Sequence, residues 1–149
     1  MESEIKCRIV LENPTTGVVV GLQQGSGHNY LTLQKQRSQG QSLVFEFKLK
    51  VKSATEEAPV FLGPMAQGPP HERFVYLDIG TAAGQMDSIW SRRLKIPLKS
   101  ITWAMVNQCL DDPDTVLETL VPGTGKDGSP NCGTVKPFNG WRTAGPVAP

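Results

Sequence analysis

Few side chains in this chain could do chemistry, and their types and spacing sort them quickly. The two histidines are His28, in a Gly-Ser-Gly loop, and His71, directly after Pro69-Pro70. Histidines that share a metal on one helix face stand four residues apart, and neither of these has such a neighbour, so no metal site is expected. Either could act as a general base if Asp78 or Tyr76 came within hydrogen-bond reach, which makes an enzyme one reading. Arg73, Arg92 and Arg93 flank strand-like runs, with Trp90 close by. A guanidinium beside an aromatic ring can grip a carboxylate or phosphate with two donors and stack at the same time. The plainer reading is ion pairs at strand ends, with Glu72, Asp78 or Asp87 as partners. Tyr76 and Asp78 fall on one face of a strand, and a buried Asp needs a partner. Gln67 lies in a turn made rigid by Gly63-Pro64 and Gly68-Pro69-Pro70. Gln67, His71, Arg73, Tyr76, Asp78 and Arg92 are therefore expected to line a site for a small polar or anionic ligand, in a binding module rather than an enzyme.

Other patterns fall away on inspection. Gly25-Ser26-Gly27 matches half of a dinucleotide fingerprint, but Tyr30 stands where the third glycine belongs and no helix signal follows. Gly125-Lys126 is followed by Asp127, where a phosphate-binding loop needs Ser or Thr for its magnesium ion. There is no GxSxG, no HExxH and no paired-carboxylate arrangement, and no cofactor is expected. A net charge of +1 argues against a dedicated nucleic-acid binder. No apolar run approaches the ~20 residues that span a bilayer, and the start of the chain lacks a signal-peptide pattern, so a cytoplasmic location is expected and no membrane partner. Cys7, Cys109 and Cys132 are far apart, without a CxxC pair. The first two sit in apolar patterns and are expected to be buried thiols.

The elements that must position these residues are mostly strands. Residues 43–52 alternate Phe45, Phe47, Leu49 and Val51 with Glu46, Lys48, Lys50 and Lys52, one face to core and one to solvent. Ile5, Cys7, Ile9 and Leu11 alternate with Lys6 and Arg8 in the same way. Further strands are expected at 18–23 and 30–36. Residues 74–79 place Val75, Leu77 and Ile79 on one face and Phe74 and Tyr76 on the other, as in an interior strand. Leu94, Ile96 and Leu98 mark another strand, which Pro97 confines to an edge or ends. Ser100 is expected to cap a helix over 101–110 that buries Met105, Val106, Cys109 and Leu110. Asp112 and Pro113 are expected to start a second short helix to about Leu120.

From Val121 onward Gly and Pro dominate without a period. Residues 121–149 are expected to form a tail without regular structure, with Phe138 and Trp141 either docked on the domain or serving as a partner-binding motif. With 149 residues there is room for one domain, 1–120. Its expected class is α+β and mainly antiparallel: a curved sheet or partly open barrel of six to seven strands, with one or two short C-terminal helices.

Three motifs carry a family resemblance. Gly63-Pro64-x-x-Gln67-Gly68-x-Pro70 is followed by Arg73-Phe74-x-Tyr76-Leu77 and then by Arg92-Arg93-x-Lys95. Over residues 5–110 the chain resembles a family of small bacterial single-domain proteins of unknown function. The resemblance implies a bacterial origin and a single domain, and it brings no activity, cofactor or site residues.

Overall fold

The computed structural model describes residues 2–12, 18–24, 29–30, 42–52, 57–64, 66–69, 72–81, 89–121 and 140–146. Among the described residues nine strands and one helix follow one another: β1 (Glu2–Leu11), β2 (Val18–Gln24), β3 (Asn29–Tyr30), β4 (Leu43–Lys52), β5 (Phe61–Pro64), β6 (Phe74–Thr81), β7 (Ile89–Pro97), α1 (Trp103–Asp111), β8 (Val116–Val121) and β9 (Trp141–Ala144). They form two sheets, ordered β5-β4-β1-β8-β9 and β3-β2-β6-β7. Every pairing is antiparallel except β1 with β8, and neither sheet closes into a barrel.

The period-2 pattern dictates the core. Ile5, Cys7, Ile9 and Leu11 of β1 and Phe45, Phe47, Leu49 and Val51 of β4 are all buried, while Lys48 and Lys50 between them are exposed. From the second sheet, Val75, Leu77, Leu94 and Ile96 are buried in the same hydrophobic cluster. The two sheets therefore share one apolar interior. The strand at 74–79 is interior, between β2 and β7, and β7 lies at a sheet edge with Pro97 as its last residue. An edge is where a residue without an N–H costs no ladder bond.

Helix α1 begins two residues later than its sequence suggests. Thr102, not Ser100, is the N-cap, and its Oγ1 accepts from the Met105 N–H at 3.3 Å. The helix buries Val106 and Cys109 and half-buries Trp103 and Met105, but Leu110 is exposed. Asp112 ends it, with its carboxylate accepting from the Asp114 N–H at 3.0 Å in a turn around Pro113.

Two expectations at the C-terminal end are corrected. The segment after Pro113 is strand β8, not a second helix. Val116, Leu117, Thr119 and Val121 favour a pleated, covered surface, and pairing with β1 on one side and β9 on the other outweighs the Asp-Pro helix-start signal. Residues 121–149 are not without regular structure throughout. Val121 closes β8, and Trp141–Ala144 pair antiparallel with it as β9, a strand too short and polar to stand out among the glycines and prolines. The chain between them, with Cys132 and Phe138, lies outside the described residues, as does 31–36 of the expected third strand.

Candidate functional site

A closed loop places the first site residue. Gln67 and Phe74 exchange backbone hydrogen bonds, N–H of Gln67 to O of Phe74 at 2.9 Å and N–H of Phe74 to O of Gln67 at 3.0 Å. Between them the Glu72 N–H donates to Pro69 O at 2.9 Å. Gly68 sits at φ +97°, and a Cβ there would lie 2.8 Å from Cε1 of Phe74. Only glycine meets both demands. The Arg73 carbonyl in turn accepts from the Leu98 N–H at 2.9 Å, so the backbone of Arg73 is held from both sides.

The side chains around this anchored residue form an open cleft of about 280 Å³ lined by Glu72, Arg73, Phe74, Lys95, Pro97 and Lys99. The register of β6 against β7 explains the grouping, since Phe74 stands opposite Pro97 and Tyr76 opposite Lys95. Residues directly opposite share a sheet face. The Lys95 ammonium sits 4.0 Å from the centroid of the Phe74 ring, in a cation–π contact, and the Tyr76 ring packs against Phe74 at 4.8 Å. Three cations face one carboxylate here, so the cleft is locally positive in a nearly neutral chain. Arg73 Nε is buried and finds no hydrogen-bond partner among the described residues.

Of the residues expected at the site, Arg73 lines the cleft. Gln67 closes the loop below it, and Tyr76 borders it through Phe74. Asp78 lies further along β6, 1% exposed, registered between Gly21 and Arg93. Arg92 is registered opposite Ile79 and so out of the row that holds Phe74, Tyr76 and Asp78. His71 and His28 lie outside the described residues. The sequence reading missed Lys95, Lys99, Phe74 and Pro97. The alternation in Arg93-Leu94-Lys95-Ile96-Pro97 puts Lys95 and Pro97 on the face opposite Leu94 and Ile96, but only the strand register sets them beside Arg73 and Phe74.

A second polar cluster lies on the outer face of the five-stranded sheet. Glu46, Arg8, Glu118 and Arg142 occupy one row across β4, β1, β8 and β9. Arg8 Nε donates to Glu118 Oε2 at 2.6 Å, and Arg142 donates from Nε and Nη2 to Glu118 Oε1 at 2.9 and 2.5 Å. Burial pushes the Glu118 carboxyl up, but the hydrogen bonds from Arg142 and Arg8 and their charges outweigh it and hold the group below the ordinary range. Both carboxylate oxygens are occupied, so this cluster is satisfied from within and fixes the register of β8 and β9. Arg73 differs in that its buried Nε has no hydrogen-bond partner among the described residues.

Cys7 and Cys109 are both buried free thiols. Burial raises Cys7 well above the ordinary thiol value, with a contribution from Cys109, and burial raises Cys109 as well. A thiol so held is a weak nucleophile. Among the described residues no cluster of His, Cys, Asp and Glu could hold a metal ion, and no helix is long and apolar enough to cross a membrane.

No curated protein and no solved structure matches the chain. A family model does, and it runs through the C-terminal strand as well as the motifs around the loop, beyond the 5–110 over which the resemblance was expected. The chain belongs to this family, described as a family of unknown function (DUF5990), over residues 5–144.

Proposed function

We propose that this domain is a binding module for a small anionic ligand, held in the cleft beside the 67–74 loop by Arg73, Lys95 and Lys99. The observation that carries the reading is the buried Arg73 Nε without a partner among the described residues. A buried donor left unmade costs about 1–3 kcal/mol, and more for a charged group. An oxyanion in the cleft would recover that cost with a charge-assisted hydrogen bond. The backbone of Arg73 is already fixed, so little further ordering is needed on binding. The cleft volume, about 280 Å³, suits a small molecule rather than a polymer. Among the described residues its lining offers cations and one carboxylate, Glu72, a composition suited to holding an anion.

Isothermal titration with inorganic phosphate tests the reading. The wild-type chain should bind, more weakly as salt rises, since the cations lie at a solvent-open cleft. Arg73→Ala should weaken binding by tenfold or more, roughly 1.4 kcal/mol, with the fold unchanged by circular dichroism. Equal affinities in the two proteins would remove Arg73 from the site.

A further inference from the structure

We infer, building on the reading of this cleft as an anion site, that its ligand carries the anionic group on a planar ring. The floor of the cleft is apolar. Phe74 and Pro97 stand directly opposite each other across β6 and β7, and both line it. A bare oxyanion gains nothing from such a floor, because its oxygens seek donors. A ring gains area and stacking from it.

The Phe74 ring is held ready for that contact. One edge lies against Gly68, where any side chain would collide with Cε1 at 2.8 Å, and Tyr76 packs against it at 4.8 Å with the planes tilted by 60°. The ammonium of Lys95 lies over the ring, 4.0 Å from its centroid, on an exposed side chain. An entering ring can take that place over Phe74, and Lys95 can re-form the same cation–π contact on the ligand. The substituent on the ring is then left to Arg73 and Lys99. Glu72, also in the lining, disfavours a second negative group on its side.

The experiment compares phenyl phosphate, inorganic phosphate and phenol by isothermal titration of the full chain, with Phe74→Leu and Phe74→Tyr alongside. Phenyl phosphate should bind roughly tenfold more tightly than inorganic phosphate, in line with one ring stacked on one aromatic side chain. Phe74→Tyr should keep that advantage and Phe74→Leu should lose it. Equal binding of phenyl phosphate and phosphate would overturn the ring and leave the anion site standing. Phenol bound as tightly as phenyl phosphate, or no binding by any of the three, would overturn the anion site itself. The wild-type comparison decides the matter even if Phe74→Leu fails to fold.

Discussion

At the scale of single residues, Glu118 has the clearest assignment in the molecule. It is 5% exposed and held by Arg8, also 5% exposed, on one side and by Arg142 on the other. Breaking a buried pair leaves a charge uncompensated, so Glu118→Ala should cost about 3–5 kcal/mol in urea unfolding. Arg142 is well exposed in its side chain, and solvent screens it, so Arg142→Ala should cost no more than about 1 kcal/mol. The pH dependence follows from the lowered carboxyl. Its folded value lies below its unfolded one, so it contributes stability above the ordinary glutamate range and loses it as pH falls below that range. The stability gap between wild type and Glu118→Gln should shrink on acidification. The thiols run the other way. Their folded values are raised, so the folded state binds more protons and stability should fall as pH rises past the ordinary thiol range. At neutral pH, peptide-level mass spectrometry should find Cys7 and Cys109 unalkylated until denaturant is added, and prompt labelling of either would contradict their burial.

At the scale of elements, legibility in the sequence follows how local the determining contact is. The alternation in β1 and β4 was readable because side chains two apart meet the same surface, whatever strand lies beside them. The outer face of β1 was not. Lys6 and Arg8 read as solvent-facing, yet Arg8 is buried, because the residue that meets it stands 110 positions away on β8. The same long-range pairing turned an apparent helix after Pro113 into a strand. β9 was illegible for a further reason: it is four residues long, and its hold comes from contacts outside its own pattern. Trp141 is buried, meets Phe47 edge-on at 6.4 Å, and donates its indole N–H to Pro97 O at 2.8 Å. Thr119 donates to Gly140 O just before it, at 2.9 Å. This strand thus ties the five-stranded sheet to the end of β7, where the cleft lies. Trp141→Ala should cost about 3–5 kcal/mol. Trp141→Phe, which keeps a ring and loses the donor, should cost about 1 kcal/mol, as read by chemical denaturation. The 67–74 loop makes a sharper test of geometry. Gly68→Ala meets both the positive φ and the Phe74 ring, and it should lower the melting temperature by several degrees, roughly the effect of 1–2 kcal/mol in a domain of this size.

At the scale of the whole molecule, two sheets share one core, and the candidate site lies on one of them at the open end of the β6–β7 pair. The Gly-Pro punctuation and the Arg-Phe-x-Tyr-Leu run located the region from sequence, because turn chemistry and strand alternation are local. The partners of Arg73 could not be located that way, since Lys95, Pro97 and Lys99 join it only through strand register and the strand's end. Arg92 and Asp78, grouped with Arg73 by proximity in sequence, fall elsewhere along the strands for the same reason. The net charge of +1 describes the chain but not this surface, where cations outnumber carboxylates. That local excess, beside a buried donor, is what supports the proposed anion site.

The most direct test watches the donor itself. In a ¹⁵N-labelled sample, the Arg73 Nε–H resonance, assigned by its loss in Arg73→Lys, is followed as inorganic phosphate is added at constant ionic strength. A saturable downfield shift confined to Arg73 and the neighbouring amides of the loop is the expected result, since it reports a hydrogen bond made to the anion by a group that has no partner among the described residues. A resonance that stays still through saturating phosphate, or moves no more than exposed arginine resonances elsewhere, would contradict the assignment of this cleft as an anion site.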